Sequence, residues 1–115
     1  SSKISSTKNE AINCDGLLLI PGLINSHTHI GDSIAKDIAL NKNTDSKIHP
    51  VFGIKQKILK ETKPKVLSHF MRKTVKSMLK KGITTFVDFR EGGLEGVLLL
   101  QKALSDLPIR AIILG

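Results

Sequence analysis

Cysteine is nearly missing from this 115-residue chain. Cys14 stands alone, so no intramolecular disulfide can form and no CxxC pair is available for zinc or redox chemistry. A reducing compartment suits that usage, and a cytoplasmic location is the expectation. Trp and Tyr are absent and Phe occurs only four times, which removes the stacking platforms that single-stranded nucleic acid uses. Near the start of the chain the longest apolar run, Leu17 to Ile20, stops at Pro21, far short of the roughly 20 residues that span a bilayer. The polar opening, Ser1 to Asn9, has no basic segment followed by an apolar stretch, so neither a secretory signal nor a membrane partner is expected. A chain this short buries one modest core, which makes it a single domain or a piece of a larger one.

Acidic residues are also scarce, ten against eighteen Lys and Arg, and the imbalance is local. Residues 47–81 hold eleven Lys or Arg against the single acid Glu61, while the rest of the chain is slightly acidic. Such a stretch is ordinarily a solvated helix face. The alternative is a small basic α/β module that binds nucleic acid or another protein through the Lys55 to Lys81 surface. The missing aromatics weigh against nucleic acid.

Residues 1–14 are expected to form a flexible or truncated start, and 15–115 one domain, opening at the turn pair Asp15-Gly16. Leu17 to Ile20 reads as a buried strand, broken by Pro21-Gly22, with a second extended segment over Leu23 to His27. An irregular connection runs from Ile30 to Pro64, holding a short helix near Ile54 to Glu61; connections of this length in compact domains are usually functional or disordered. After Pro64, the residues Val66, Leu67, Phe70, Met71, Val75, Met78 and Leu79 recur at helical spacing, and Gly82 ends the pattern. Ile83 to Phe89 is β-branched and aromatic, Leu94 to Leu104 is again helical, and Ile109 to Leu114 is a further apolar strand. Strands alternating with helices give successive βαβ units, hence an α/β fold with parallel strands. The pattern alone leaves an open sheet and a closed barrel both standing.

The triplet His27-Thr28-His29 carries the most chemistry. Side chains two apart on a strand project to one face, where two imidazoles can meet one metal ion. The pair also sits where a strand gives way to a loop, the end at which parallel α/β folds place their chemistry. Pro21-Gly22-Leu23-Ile24-Asn25-Ser26-His27-Thr28-His29 closely resembles the motif that opens the barrel of the amidohydrolase superfamily. Gly82 to Phe89 is similar to the second barrel strand of its deaminase and chlorohydrolase-like branch, and Ile109 to Gly115 to the third.

That resemblance implies the first part of a TIM-type barrel and a divalent metal, zinc first and iron second, held by His27 and His29. It implies hydrolysis of a carbon–nitrogen bond in a small-molecule substrate, as in deaminases, with further ligands and the proton-shuttling acid drawn from later strands. The chain is therefore expected to be an amino-terminal part, inactive alone, with exposed strand edges that favour self-association or completion by another chain. Asp32, Asp88 and Arg90 are the candidates for substrate contact. Each has a structural alternative: Asp32 as a turn cap, Asp88 as a partner of Arg90, and Arg90 with Glu91 as loop charges that satisfy backbone. His49 and His69 are poor ligand candidates, the latter lying on the lysine-rich side of its helix.

Overall fold

Pro64 fits the first turn of a helix, because its missing N–H would have had no partner there. The computed structural model, which describes residues 12–38, 43, 44, 49 and 53–115, places α2 over Pro64–Lys80, preceded by α1 over Ile54–Glu61. Leu67, Met71 and Val75, four residues apart, form the buried stripe of α2. Val66, expected in that stripe, is 41% exposed at its margin. Gly82 ends the run in the left-handed region at φ +80°, a conformation that costs glycine little. Most of the expected loose start and much of the 30–64 connection lie outside the described residues.

Three strands follow the expected order: β1 over Leu23–Thr28, β2 over Ile83–Phe89 and β3 over Arg110–Leu114. They form one parallel sheet in the order β1-β2-β3, with α2 between the first two and α3, Gly93–Leu104, between the last two. Gly92 and Gly93, both at positive φ, turn the chain from the end of β2 into α3. Glu95 occupies that helix's first turn, where its charge complements the dipole.

The core lies between the sheet and the helices. Phe86 from β2 packs with Met71, Val75, Leu67, Leu100, Ala103 and Ile30. Phe86, Val75 and Leu100 are wholly buried, and burying each such side chain contributes about 1.5–3 kcal/mol. The other sheet face is uncovered in this chain: Ile24, Ile112 and Leu114 are 46–69% exposed.

Pairing between β1 and β2 is irregular in a way that matters below. Asn25 pairs with Phe86 and Thr28 with Asp88, so three steps along β1 match two along β2. This is a β-bulge at Ser26-His27. Asn25 and Thr28 consequently both face the helices, and His27 faces the open side.

One expectation fails. Leu17 to Ile20 is not a strand, and its side chains are 60–88% exposed. Its apolar composition resembles a buried strand, but no described strand pairs with it, and the turn before it closes through Leu17 N–H donating to the Cys14 carbonyl at 3.0 Å.

Candidate metal centre at the strand ends

β1 ends at Thr28, and the 3-10 turn Ile30–Ala35 begins one residue later, so His27 and His29 straddle the exit from the sheet. Their rings lie edge to face with centroids 5.2 Å apart, and His27 also packs on the Phe89 ring at 4.6 Å. Two imidazoles thus share one space at the carboxyl ends of β1 and β2. Nδ1 of His29 lies 3.1 Å from the Phe89 carbonyl oxygen and 3.1 Å from Glu91 Oε1.

Thr28, between the two histidines, turns the opposite way and is tied down from within. Its hydroxyl lies 2.8 Å from Asp88 Oδ1 and 2.8 Å from the Val87 carbonyl, and the same Asp88 oxygen accepts the Ile30 N–H at 2.6 Å. One buried carboxylate oxygen therefore holds the residues on both sides of His29, Thr28 by its hydroxyl and Ile30 by its backbone N–H. Asp88 and Arg90, two of the residues expected at the substrate, lie inside the protein at 0% and 7% exposure. The Arg90 guanidinium reaches Asp88 Oδ2 at 3.7 Å and Glu91 Oε2 at 3.2 Å. It lies against Gly31, where a Cβ would come within 2.1 Å of it.

Asp32, the third candidate, is in the 3-10 turn beside His29. Its Oδ2 pairs with Lys55 Nζ at 3.0 Å, and Lys55 also makes a very short contact with Glu91 Oε1. Burial raises the Asp32 carboxyl above its usual range, more strongly than Lys55 lowers it. Burial also pushes Glu91 upward, but its hydrogen bond with Lys55, a backbone hydrogen bond and the charges of Lys55 and Arg90 together hold it below the usual range. Lys55 is lifted, its two carboxylate partners outweighing burial.

The donor set suits a divalent cation. Potential ligand atoms of His29, Asp32 and Glu91 all lie within 4.8 Å of one another, with His27 adjacent. Asp32 Oδ1 is buried without a hydrogen-bond partner, an oxygen that a cation would satisfy. Asp32, Asp88, Arg90, Glu91 and Lys55 together carry a formal charge of about −1, which a dication would offset. His69 is exposed on α2, away from this cluster.

Two members of the cluster were underrated from sequence, Glu91, weighed with Arg90 for substrate contact, and Lys55, not singled out. Glu91 read as a loop charge, and Lys55 as one cation in a solvated stretch. Lys55 does offer a signal in retrospect, since it occupies the first turn of α1, where the helix dipole disfavours a cation unless carboxylates hold it.

The sequence profile described as "Amidohydrolase family" matches residues 18–115. The chain is 44% identical over 106 residues to a protein of Methanothermobacter thermautotrophicus named "Putative aminohydrolase", covering 92% of this chain and 28% of that protein. It is 46% identical over 100 residues to an uncharacterized protein of Methanocaldococcus jannaschii, covering 85% and 26% respectively. An Archaeoglobus fulgidus protein with the same aminohydrolase name is 30% identical over 95 residues, covering 83% and 28%. The chain thus spans little more than a quarter of the length of these relatives. No solved structure matches it.

Proposed function

The chain belongs to the amidohydrolase family, and from that premise we propose that it contributes the first metal ligands, His27 and His29, to a hydrolase acting on a carbon–nitrogen bond of a small molecule, in the manner of a deaminase. The observation that carries this reading is the pair of imidazoles 5.2 Å apart at the carboxyl end of a parallel strand, beside a buried Asp32 oxygen with no partner.

Zinc is the first choice of metal and iron the second. When bound, such an ion lowers the pKa of a coordinated water to about 7 and so supplies a nucleophile near neutrality. The chain's own residues prepare the place for it. Phe89 backs the His27 ring and keeps one side of the centre apolar. Asp32, 35% exposed at its side chain, faces the opening and is the residue here best placed to meet either metal or substrate. Asp88 and Arg90 act from beneath, holding the strand exit rather than touching substrate. A full catalytic shell typically needs about three protein ligands plus an open position, so the complete protein is expected to add ligands and a proton-transferring group of its own.

The test uses the full-length protein, stripped with a chelator and reloaded. Stoichiometric metal, measured by elemental analysis, should fall sharply in H27A and H29A, and ammonia release from aminated heterocycles should follow metal content. Unchanged metal content in both variants would refute the reading.

A further inference from the structure

An imidazole offers two nitrogens, and which one meets a metal depends on what holds the other. In His29 the question is settled by its neighbours. Nδ1 points between two oxygens, the Phe89 carbonyl and Glu91 Oε1, each 3.1 Å away. A peptide carbonyl has no hydrogen to give, so the contact is a hydrogen bond only if Nδ1 carries the proton and donates. The nitrogen left with a lone pair is then Nε2.

We propose that Glu91 is a positioning residue for His29: with the Phe89 carbonyl it fixes the Nδ1–H tautomer and turns Nε2 toward the metal, while Lys55 holds Glu91 in place. The inference rests on the metal-centre reading above, and it assigns Glu91 a role other than ligand. Proximity alone would group Glu91 with His29 and Asp32 as three ligands of one ion. Two observations argue against that grouping. The His29 nitrogen beside Glu91 is Nδ1, which already faces the Phe89 carbonyl. Both oxygens of that carboxylate also face protein cations, Oε1 the Lys55 ammonium and Oε2 the Arg90 guanidinium, the latter as an ion pair at 3.2 Å without a hydrogen bond. A cation approaching Glu91 would have to displace an ammonium or a guanidinium; one approaching Nε2 displaces neither.

Lys55 belongs to the same device. Its ammonium, on a side chain only 17% exposed, bridges Glu91 Oε1 and Asp32 Oδ2 and so ties α1 to the ends of β1 and β2. The carboxylate–imidazole contact is thereby anchored from both sides, by Arg90 from within the sheet end and by Lys55 from the helix. Ligating histidines commonly donate their second N–H to such a partner, and loss of the partner typically weakens metal binding by about 10–100-fold.

The experiment compares full-length wild type with E91A, E91Q and K55M. Zinc affinity is measured by competition with a chromogenic chelator, the cobalt-substituted absorption spectrum reports coordination number, and 15N shifts of the His29 ring in the metal-free protein report the tautomer. E91A should bind zinc about 10–100-fold more weakly while keeping the wild-type cobalt spectrum. E91Q should recover most of the affinity, because an amide oxygen still accepts from Nδ1–H, and K55M should weaken binding in the same direction as E91A. The metal-free wild type should show a protonated Nδ1, with mixed tautomers in E91A. A cobalt spectrum in E91A that reports a lost oxygen ligand would make Glu91 a ligand and overturn the proposal. So would unchanged zinc affinity, or an Nε2–H tautomer in the wild type, and either would leave the His27–His29 centre standing. Absence of metal uptake by the wild type, with the tautomer as expected, would instead refute the metal centre and with it the proposed purpose of Glu91.

Discussion

Replacing Asp88 with Ala is the sharpest probe of how the site is held. The change removes the acceptor of the Ile30 N–H, which is buried with its residue at 2% exposure, and withdraws a counter-charge from the buried Arg90. A buried donor left without a partner costs about 1–3 kcal/mol. Breaking a buried ion pair by removing one partner costs about 3–5 kcal/mol. Here Arg90 keeps Glu91 at 3.2 Å and Asp88 stands farther off at 3.7 Å, so the second effect falls below that range. A combined loss of about 3–5 kcal/mol is expected, given the usual net values for buried polar groups. With a urea dependence of about 2 kcal/mol per molar, that shifts the unfolding midpoint by roughly 2 M. D88N should lose about half as much, because its amide oxygen can still accept from Ile30 while its NH2 faces Arg90. Urea titration followed by circular dichroism measures the loss, and hydrogen exchange at the Ile30 amide localises it. A D88A loss under about 1 kcal/mol, with Ile30 still protected, would show that Asp88 is not what fixes the strand exit.

Two further outcomes follow from neighbouring contacts. G31A should lower stability by about 1–3 kcal/mol, because its Cβ would overlap the Arg90 guanidinium and force it away from its partners Asp88 and Glu91; a thermal melt matching wild type would show that Arg90 can shift without losing them. Away from the site, Arg72 donates two hydrogen bonds to Asp106 and holds that carboxyl below its ordinary value of 3.8, against a small opposing effect of burial. The stabilisation is present above that ordinary value and lost as pH falls through the lowered one, so D106N should flatten the acid limb of a stability–pH profile. An acid limb identical to wild type would contradict it.

Much of the architecture was legible because periodicity and punctuation agreed. The α2 stripe, its stop at Gly82 and the β-branched run of β2 all point to the same elements, and the observed boundaries match the expected ones for β2 and differ by no more than two residues for α2. Leu17 to Ile20 misled because apolar composition signals burial without naming the surface that provides it. At the site, the two-residue spacing of His27 and His29 suggested that their rings share a space. Spacing did not reveal the hidden side of Asp88, whose position at a strand end looked the same whether it faced the opening or the helices. Lys55 and Glu91 were obscure for a related reason: each is an ordinary surface charge in sequence, and only the approach of α1 to the ends of β1 and β2 makes them partners.

The bulge at Ser26-His27 has a consequence for how such a centre is gained or lost. Counted from Asn25, which faces the helices, a regular strand would point His27 and His29 toward the helices and Thr28 toward the open side. The extra residue inverts that phase. Removing the codon for Ser26 would restore flush pairing and leave both imidazoles on the open side, whereas flush pairing with Ser26 still in place would carry them into the packed layer. The motif as a string of letters is therefore not the heritable unit of the site; the unit is the motif together with its register, Thr28 opposite Asp88.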